Sequence, residues 1–429
     1  MHQRDPWLST SVLSAFLLLT GCSGDDDSRS LFQPGPALPE CPNADYSTCD
    51  VREADCQDRL LELAACVRGR EPPARLQIDV MTKAEYLEML RDDAADRPEP
   101  ELQHFSRALS LFNLAPKDGV PYDDQLEEQA EFVGGQYRQD EKRIIVVDHG
   151  RAASSADIDA TLLHEFVHAL QDDEHDLETW PSEETVWTFD STLAARTIVE
   201  GEASFYESRI SAPLLGLDYR RVDFESTFQN FMDRLLVKAF DSPLLLSQSQ
   251  RTLPYGVGAL QAFHAWEVDG PSAIERLWSD PPLTMQKVLS PLFGRNRPQS
   301  PSVEVPPPEV PEGLTLYGDD TLGAWGLCLV LTKRTGVPAR VTDFIDQALM
   351  WRGDRLSVYS GEDDSTYALW QLELESSTAA DELDEFFDDF PVEHGAVGKR
   401  VFVSYNMNDL SASAALTQWG EAWVASSSD

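Results

Sequence analysis

Basic residues are scarce in this chain: 34 lysines and arginines stand against 75 aspartates and glutamates, a formal net charge of -41. Such an excess of acid repels phosphate backbones and anionic headgroups, which argues against nucleic acid and a bare anionic membrane surface as partners. The field would attract cationic peptides, although solubility outside the cell is the plainer explanation. Cysteine is sparse too, at six residues, and none forms a CxxC pair, so the usual spacing of a structural zinc site is missing. Cys41, Cys49, Cys56 and Cys66 crowd into one segment, whereas Cys328 stands alone in the apolar stretch Trp325 to Leu331 as a buried thiol. Four clustered cysteines allow three pairings, among which sequence does not choose. Two disulfides, stapling a segment too small to bury a core alone, fit an oxidising compartment. The acidic run Asp381 to Asp389 lacks the spacing of a calcium-binding EF-hand loop and reads as a solvated helix face. No internal repeat is visible, and 42% hydrophobic with 25% charged residues is an ordinary globular composition.

What is present begins at the N-terminus. Residues 1–21 carry Arg4, an apolar run from Val12 to Leu19, and then Leu19-Thr20-Gly21-Cys22, which resembles a bacterial lipobox. That apolar core is too short to span a bilayer and is followed by Ser23, Gly24 and three aspartates, so it reads as a cleaved signal. Cys22 then becomes a lipidated first residue that anchors the chain to the cell envelope, with a plain secretory signal as the alternative. Ser23 in place of Asp favours the outer membrane.

Thr161-Leu-Leu-His-Glu-Phe-Val-His-Ala-Leu170 carries the chemistry. A helix advances about 100° per residue, so His164 and His168 fall one turn apart on one face and can grip a single metal ion. Glu165 is placed beside that ion to act as general base on its water. The segment lacks Gly and Pro, and Asp157 or Asp159 puts acid near the helix start. A catalytic zinc site generally takes three protein ligands and leaves one position open. The third is sought in Asp190 to Tyr206, a helical stretch for which Asp190 can serve as N-cap. Glu200 and Glu202 there point about 200° apart, so at most one faces the metal. Glu200 is the better candidate, after the mostly apolar turn of Leu193, Thr197, Ile198 and Val199 and before Gly201. Its alternative role is an ion pair with Arg196, one turn earlier.

His-Glu-Phe-Val-His followed by Val-Glu-Gly-Glu-Ala resembles the gluzincin group of zinc metallopeptidases, whose third ligand is a glutamate on a second helix. More narrowly, the chain resembles bacterial envelope proteins with a pattern like HExxHALQDQ, a later EGDA, a PY-G segment and a PP-x-S/T stretch. These become His164 to Asp172, Glu200 to Ala203, Pro254-Tyr255-Gly256 and Pro281-Pro282-Leu283-Thr284, within residues 75–290. Asp173-Glu174-His175 departs from the usual Gln-His-aromatic sequence, and Glu202 from the usual Asp. The resemblance implies an α+β fold with a zincin-like core: a small mixed sheet, the active-site helix and a mainly helical lobe. It implies Zn2+ held by His164, His168 and Glu200, and hydrolysis of peptide bonds with Glu165 as base.

Developing oxyanion charge needs a hydrogen-bond donor besides the metal. Tyr255, His264 and Tyr206 are the candidates. The alternatives are packed residues with satisfied polar ends for Tyr206 and His264, and a turn after Pro254 for Tyr255. His175 is either a substrate contact or a solvated member of the acidic run Asp172 to Asp176. Gly134 to Asp148 reads as two strands around a polar turn, with β-branched Ile144 to Val147 suited to burial. By resemblance, this hairpin is the edge that would bind an extended peptide.

Composition divides the chain into a signal (1–21), a tether and stapled segment (22–72), the zincin-like domain (73–296), a Pro-rich linker (297–311) and a C-terminal α+β region (312–429) without a catalytic signature. The expected protein is a lipid-anchored zinc peptidase of the cell envelope. The alternatives are a non-catalytic binding lipoprotein on the same scaffold and a metal-dependent amidase acting on cell-wall peptides.

Overall fold

Apolar β-branched runs and long stretches free of helix breakers sort the chain into an α+β fold with two small sheets. The computed structural model describes residues 9–12, 36–37, 39, 41, 44–73, 76–95, 103–150, 155–182, 185–218, 222–241, 245–293, 300–334, 342–406 and 414–426. Cys22 and the rest of the predicted signal and tether, apart from 9–12, 36–37 and 39, lie outside the described residues.

The first half contains β1 (Ser9–Val12), α1 (Ala54–Arg68), β2 (Gln77–Thr82), α2 (Lys83–Ala95), α3 (Gln103–Ser110), α4 (Tyr122–Phe132), β3 (Val133–Arg138), β4 (Arg143–Asp148), α5 (Ser155–His175) and α6 (Phe189–Leu214). There follow α7 (Phe224–Asp241), α8 (Leu245–Asp269), α9 (Pro271–Ser279) and α10 (Met285–Phe293). The C-terminal part contains β5 (Leu314–Asp320), α11 (Gly323–Arg334), α12 (Thr342–Ala348), β6 (Trp351–Gly361), β7 (Thr366–Leu374), α13 (Ser377–Phe387), β8 (Glu393–Val397), β9 (Arg400–Asn406) and α14 (Ala414–Ala425).

The first sheet has the order β1-β3-β4-β2. Its strand β4 explains why Ile144 to Val147 is apolar throughout rather than alternating. Ile144 and Val146 pack with Leu162, Leu163 and Phe166 of α5, while Ile145 and Val147 pack with Tyr86, Leu90 and Leu126 on the opposite face. Successive side chains point to opposite faces, and here both faces are covered. β4 pairs parallel with β2 and antiparallel with β3, so the predicted hairpin is present. The outer edge of β3 pairs antiparallel with Ser9–Val12.

The disulfides are Cys41–Cys66 and Cys49–Cys56, and Cys328 is a buried thiol. The stapled segment is not a separate unit: α1 buries Leu60, Leu61 and Ala64 in the same core as Phe166 and Val167 of α5.

α6 begins earlier than Asp190. Thr188 is its N-cap, in a reciprocal capping box with Ser191. Asp190 is instead a buried residue of the first turn, accepting a hydrogen bond from the Met285 amide at 3.0 Å. α3 stops at Ser110, and Asn113 beyond it takes a left-handed φ of 56°.

The second sheet is antiparallel in the order β5-β6-β7-β9-β8. The Pro-rich stretch, where described, is no bare linker: the Val303 amide bonds the Arg352 carbonyl at 2.9 Å, and Val305 is buried with Tyr359, Leu369 and Phe402. Leu193 and Ala194 of α6 share a core with Trp325 and Trp370 of the C-terminal part, so burial continues across the proposed boundary.

Candidate metal centre

α5 presents His164 and His168 on one face because four residues return the helix to nearly the same angle. Their Nε2 atoms stand 3.0 Å apart, and Glu200 of α6 brings Oε2 to 3.3 Å from each. All three residues are buried. The structure therefore brings together the three residues that sequence proposed as ligands. The Arg196 pairing that sequence offered as the alternative is also present, with the other Glu200 oxygen 3.4 Å from Arg196 Nη2, but it is buried rather than on a solvated face.

The protons on the two imidazoles follow from their other partners. The Gln171 amide nitrogen donates to the Val199 carbonyl and to Glu202 Oε2, each at 3.0 Å, so its oxygen faces His168 Nδ1 at 2.8 Å. That oxygen can only accept, and His168 Nδ1 carries the proton. His164 Nδ1 faces Glu207 Oε2 at 3.1 Å and is fixed the same way. Both Nε2 atoms then face each other and a carboxylate oxygen, a cluster that calls for positive charge among them, whether a proton or a metal ion.

The fit to a metal can be tested on spacing. Tetrahedral bonds of about 2.1 Å separate ligand atoms by about 3.4 Å. The observed separations are 3.0, 3.3 and 3.3 Å, and two neutral imidazoles with one carboxylate form a donor set suited to zinc. Electrostatics agrees. Burial presses the pKa of His164 down, but Glu200, Glu207 and the Glu165 charge outweigh it and hold the pKa up at about 10, so the pocket favours positive charge. Glu200, despite burial, is held below the ordinary carboxylate range by the two histidines.

Glu165 is fully buried beneath β3. A Cβ at Gly135 would come within 2.9 Å of Glu165 Oε1 and 2.7 Å of Thr161 Cγ2, so the strand can lie this close to the carboxylate only with glycine there. Tyr255 lies inside α8 rather than in a turn, and its ring stacks on His164 with centroids 5.7 Å apart at 28°. Burial and the Glu200 charge push its phenol pKa well above the ordinary value, which keeps it protonated and able to donate.

His264 is not part of this cluster. It follows Tyr255 by nine residues on the same helix, about 14 Å along the axis and on the opposite face. Its side chain is 42% exposed and lies 3.9 Å from Glu225. Tyr206 is packed against Phe205 and Trp266. His175 is not a solvated residue: its side chain is 11% exposed and stacks on Trp278 with centroids 4.2 Å apart.

Glu202 turns away from the triad, as the helical angle required, and serves it indirectly. It accepts from Arg68 Nε at 2.9 Å, Trp278 Nε1 at 2.8 Å and Gln171. Its carboxylate thus fixes Gln171, which fixes His168. The supporting residues Gln171, Glu207 and Arg68 were not singled out by sequence. Gln171 and Glu207 carry a signal in retrospect, since each stands seven residues after a triad member, on its face of the helix. Arg68 reaches the network from α1 and leaves no local signal.

Comparison with known proteins bears on another part of the chain. A family described as "Domain of unknown function (DUF8575)" matches residues 314–427, the second sheet and its helices. No curated protein matches the chain, and no solved structure does.

Proposed function

We propose that the chain is a zinc-dependent hydrolase of peptide bonds with a gluzincin-like core, anchored to the bacterial envelope through lipid on Cys22. The observation that carries the reading is the convergence of two imidazole Nε2 atoms and a carboxylate oxygen on one point, with Glu165 as the residue that follows the first histidine on the same helix. His164, His168 and Glu200 would hold the ion, which when bound supplies Lewis acidity toward a carbonyl and toward water. Glu165 takes the proton of the attacking water and returns it to the leaving amine. Tyr255 donates its hydroxyl proton in a hydrogen bond to the oxyanion that develops on the carbonyl. β3, whose outer edge takes the extended segment Ser9–Val12, is the strand on which a peptide would lie.

The test compares zinc content and cleavage of a mixed peptide library for the mature chain and its Glu165→Gln variant. Zinc in both with cleavage only by the unaltered chain is the expected result. Zinc in both and cleavage by neither would move the assignment to a binding scaffold or to a cell-wall substrate missing from the library.

A further inference from the structure

Two arginines beside the triad have no part in that chemistry. Arg196 stands one turn before Glu200 on α6, and Arg251 one turn before Tyr255 on α8. The two helices run in the same sense: Gly258 meets Gly201, and farther along Trp266 meets Phe205 and Tyr206. The arginines therefore sit on the same side of the triad. They are close enough that Arg196, after burial, contributes to lowering the pKa of Arg251.

Arg251 is poorly matched by its neighbours. Its ion-pair partner among the described residues is Glu128 of α4 at 3.7 Å, and its buried Nη1 has no hydrogen-bond partner. Glu128 is itself engaged by the Gln248 amide. Arg196 spends one nitrogen on Glu200 Oε1 at 3.4 Å. The side chains of Arg196 and Arg251 are 18% and 25% exposed, so each is enclosed yet reachable. A guanidinium has five N–H donors in a rigid fork and cannot shed its charge, so enclosing one without acceptors is costly. The chain has no shortage of carboxylates to match it, with 75 aspartates and glutamates.

We propose that Arg251, with Arg196, forms an anion subsite that takes a carboxylate of the peptide substrate beside the metal centre. The planar fork suits a carboxylate held through two parallel hydrogen bonds. The inference rests on the peptidase reading for the reaction and adds the substrate class: peptides that place a carboxylate, either the C-terminus or an acidic side chain, next to the bond attacked.

Calorimetric titration of the full chain carrying Glu165→Gln, zinc-loaded and zinc-stripped, tests this by binding alone. The probes are acetyl-tetra-alanine as the free acid, the same peptide as its amide, and that amide with the third alanine replaced by glutamate. The free acid or the glutamate amide should bind about tenfold or more tighter than the plain amide, as charge-assisted hydrogen bonds provide. Preference for the free acid alone identifies the C-terminus as the source, and preference for the glutamate amide identifies the side chain. Arg251→Gln should erase the preference, and Arg251→Lys, which keeps the charge but loses the fork, should retain part of it. Equal binding of all three probes, no binding of any, or a preference that survives in a folded Arg251→Gln variant overturns the subsite. A chain that prefers the carboxylate but cleaves nothing would instead overturn the peptidase reading and leave the subsite standing.

Discussion

Gly201 and Gly258 meet backbone to backbone where α6 packs on α8. A Cβ built at Gly258 would fall 2.6 Å from the Gly201 Cα and collide with the Thr197 carbonyl. The contact lies one residue from Glu200 and three from Tyr255, so it sets the approach of both to His164. Gly258→Ala must push the helices apart. It should destabilise the chain by about 1–3 kcal/mol, as overpacking does, and weaken zinc binding as well. Thermal unfolding and zinc titration of the variant check this, and unchanged zinc affinity would mean that the helix spacing does not govern the triad.

Glu200, Glu207 and Glu202 should respond differently to alanine. Glu200→Ala removes a proposed ligand and should abolish stoichiometric zinc. Glu207→Ala removes the acceptor that orients His164 and should cost about 10–100-fold in affinity, as losing an orienting partner does. Glu202→Ala leaves Arg68 buried with Glu174 as its remaining partner among the described residues and frees Gln171, so its main effect should be lost stability, about 3–5 kcal/mol for a broken buried pair. Competitive chelator titration with urea unfolding separates the three. Loss of zinc in Glu202→Ala with Glu200→Ala still loaded would reverse the ligand assignment.

The triad was legible in sequence because helical spacing is local: two histidines four apart, and a glutamate in an apolar helix downstream. The β4 strand was legible for a similar reason, as a β-branched run wants burial on both faces. Tyr255 needed the packing of α8 on α6, which brings its ring to His164, and Pro254 suggested a turn where the helix continues. His264 failed because nine residues turn a helix half a revolution away. The Arg68–Glu202–Gln171 chain joins three helices and has no local pattern. In the C-terminal part β5 and β8 are partly exposed and their sequences alternate weakly, which leaves little pattern to read.

The Cys41–Cys66 bridge spans 25 residues and ties the segment before α1 to the end of that helix. A loop of this length contributes about 3.5 kcal/mol by restricting the unfolded chain. The double replacement Cys41→Ser with Cys66→Ser should lower stability by about that amount while leaving the triad in place, since α1 remains packed on α5 through Leu60, Leu61 and Ala64. Guanidinium unfolding and zinc content provide the check. Loss of zinc in a folded variant would show that the staple positions the site rather than merely stabilising it.

Asp190 offers the clearest pH signature outside the His164–His168–Glu200 cluster. It is fully buried, and burial, with the neighbouring charges of Asp354 and Asp320, raises its pKa from 3.8 to about 8, against the hydrogen bond from the Met285 amide. A carboxylic acid whose pKa is higher in the folded chain binds its proton more tightly there than when unfolded. Its contribution is therefore fully present below 3.8 and is lost as pH rises toward about 8. Asp190→Asn keeps an oxygen to accept from Met285 but cannot ionise. Between those pH values the variant should lose less stability than the parent, by a few kcal/mol at the upper end, on the order that several pH units of linkage give. Urea unfolding of both proteins at a series of pH values, with chelator present throughout, isolates the difference from metal binding. Parallel stability curves would show that Asp190 ionises in the folded chain as readily as in the unfolded one.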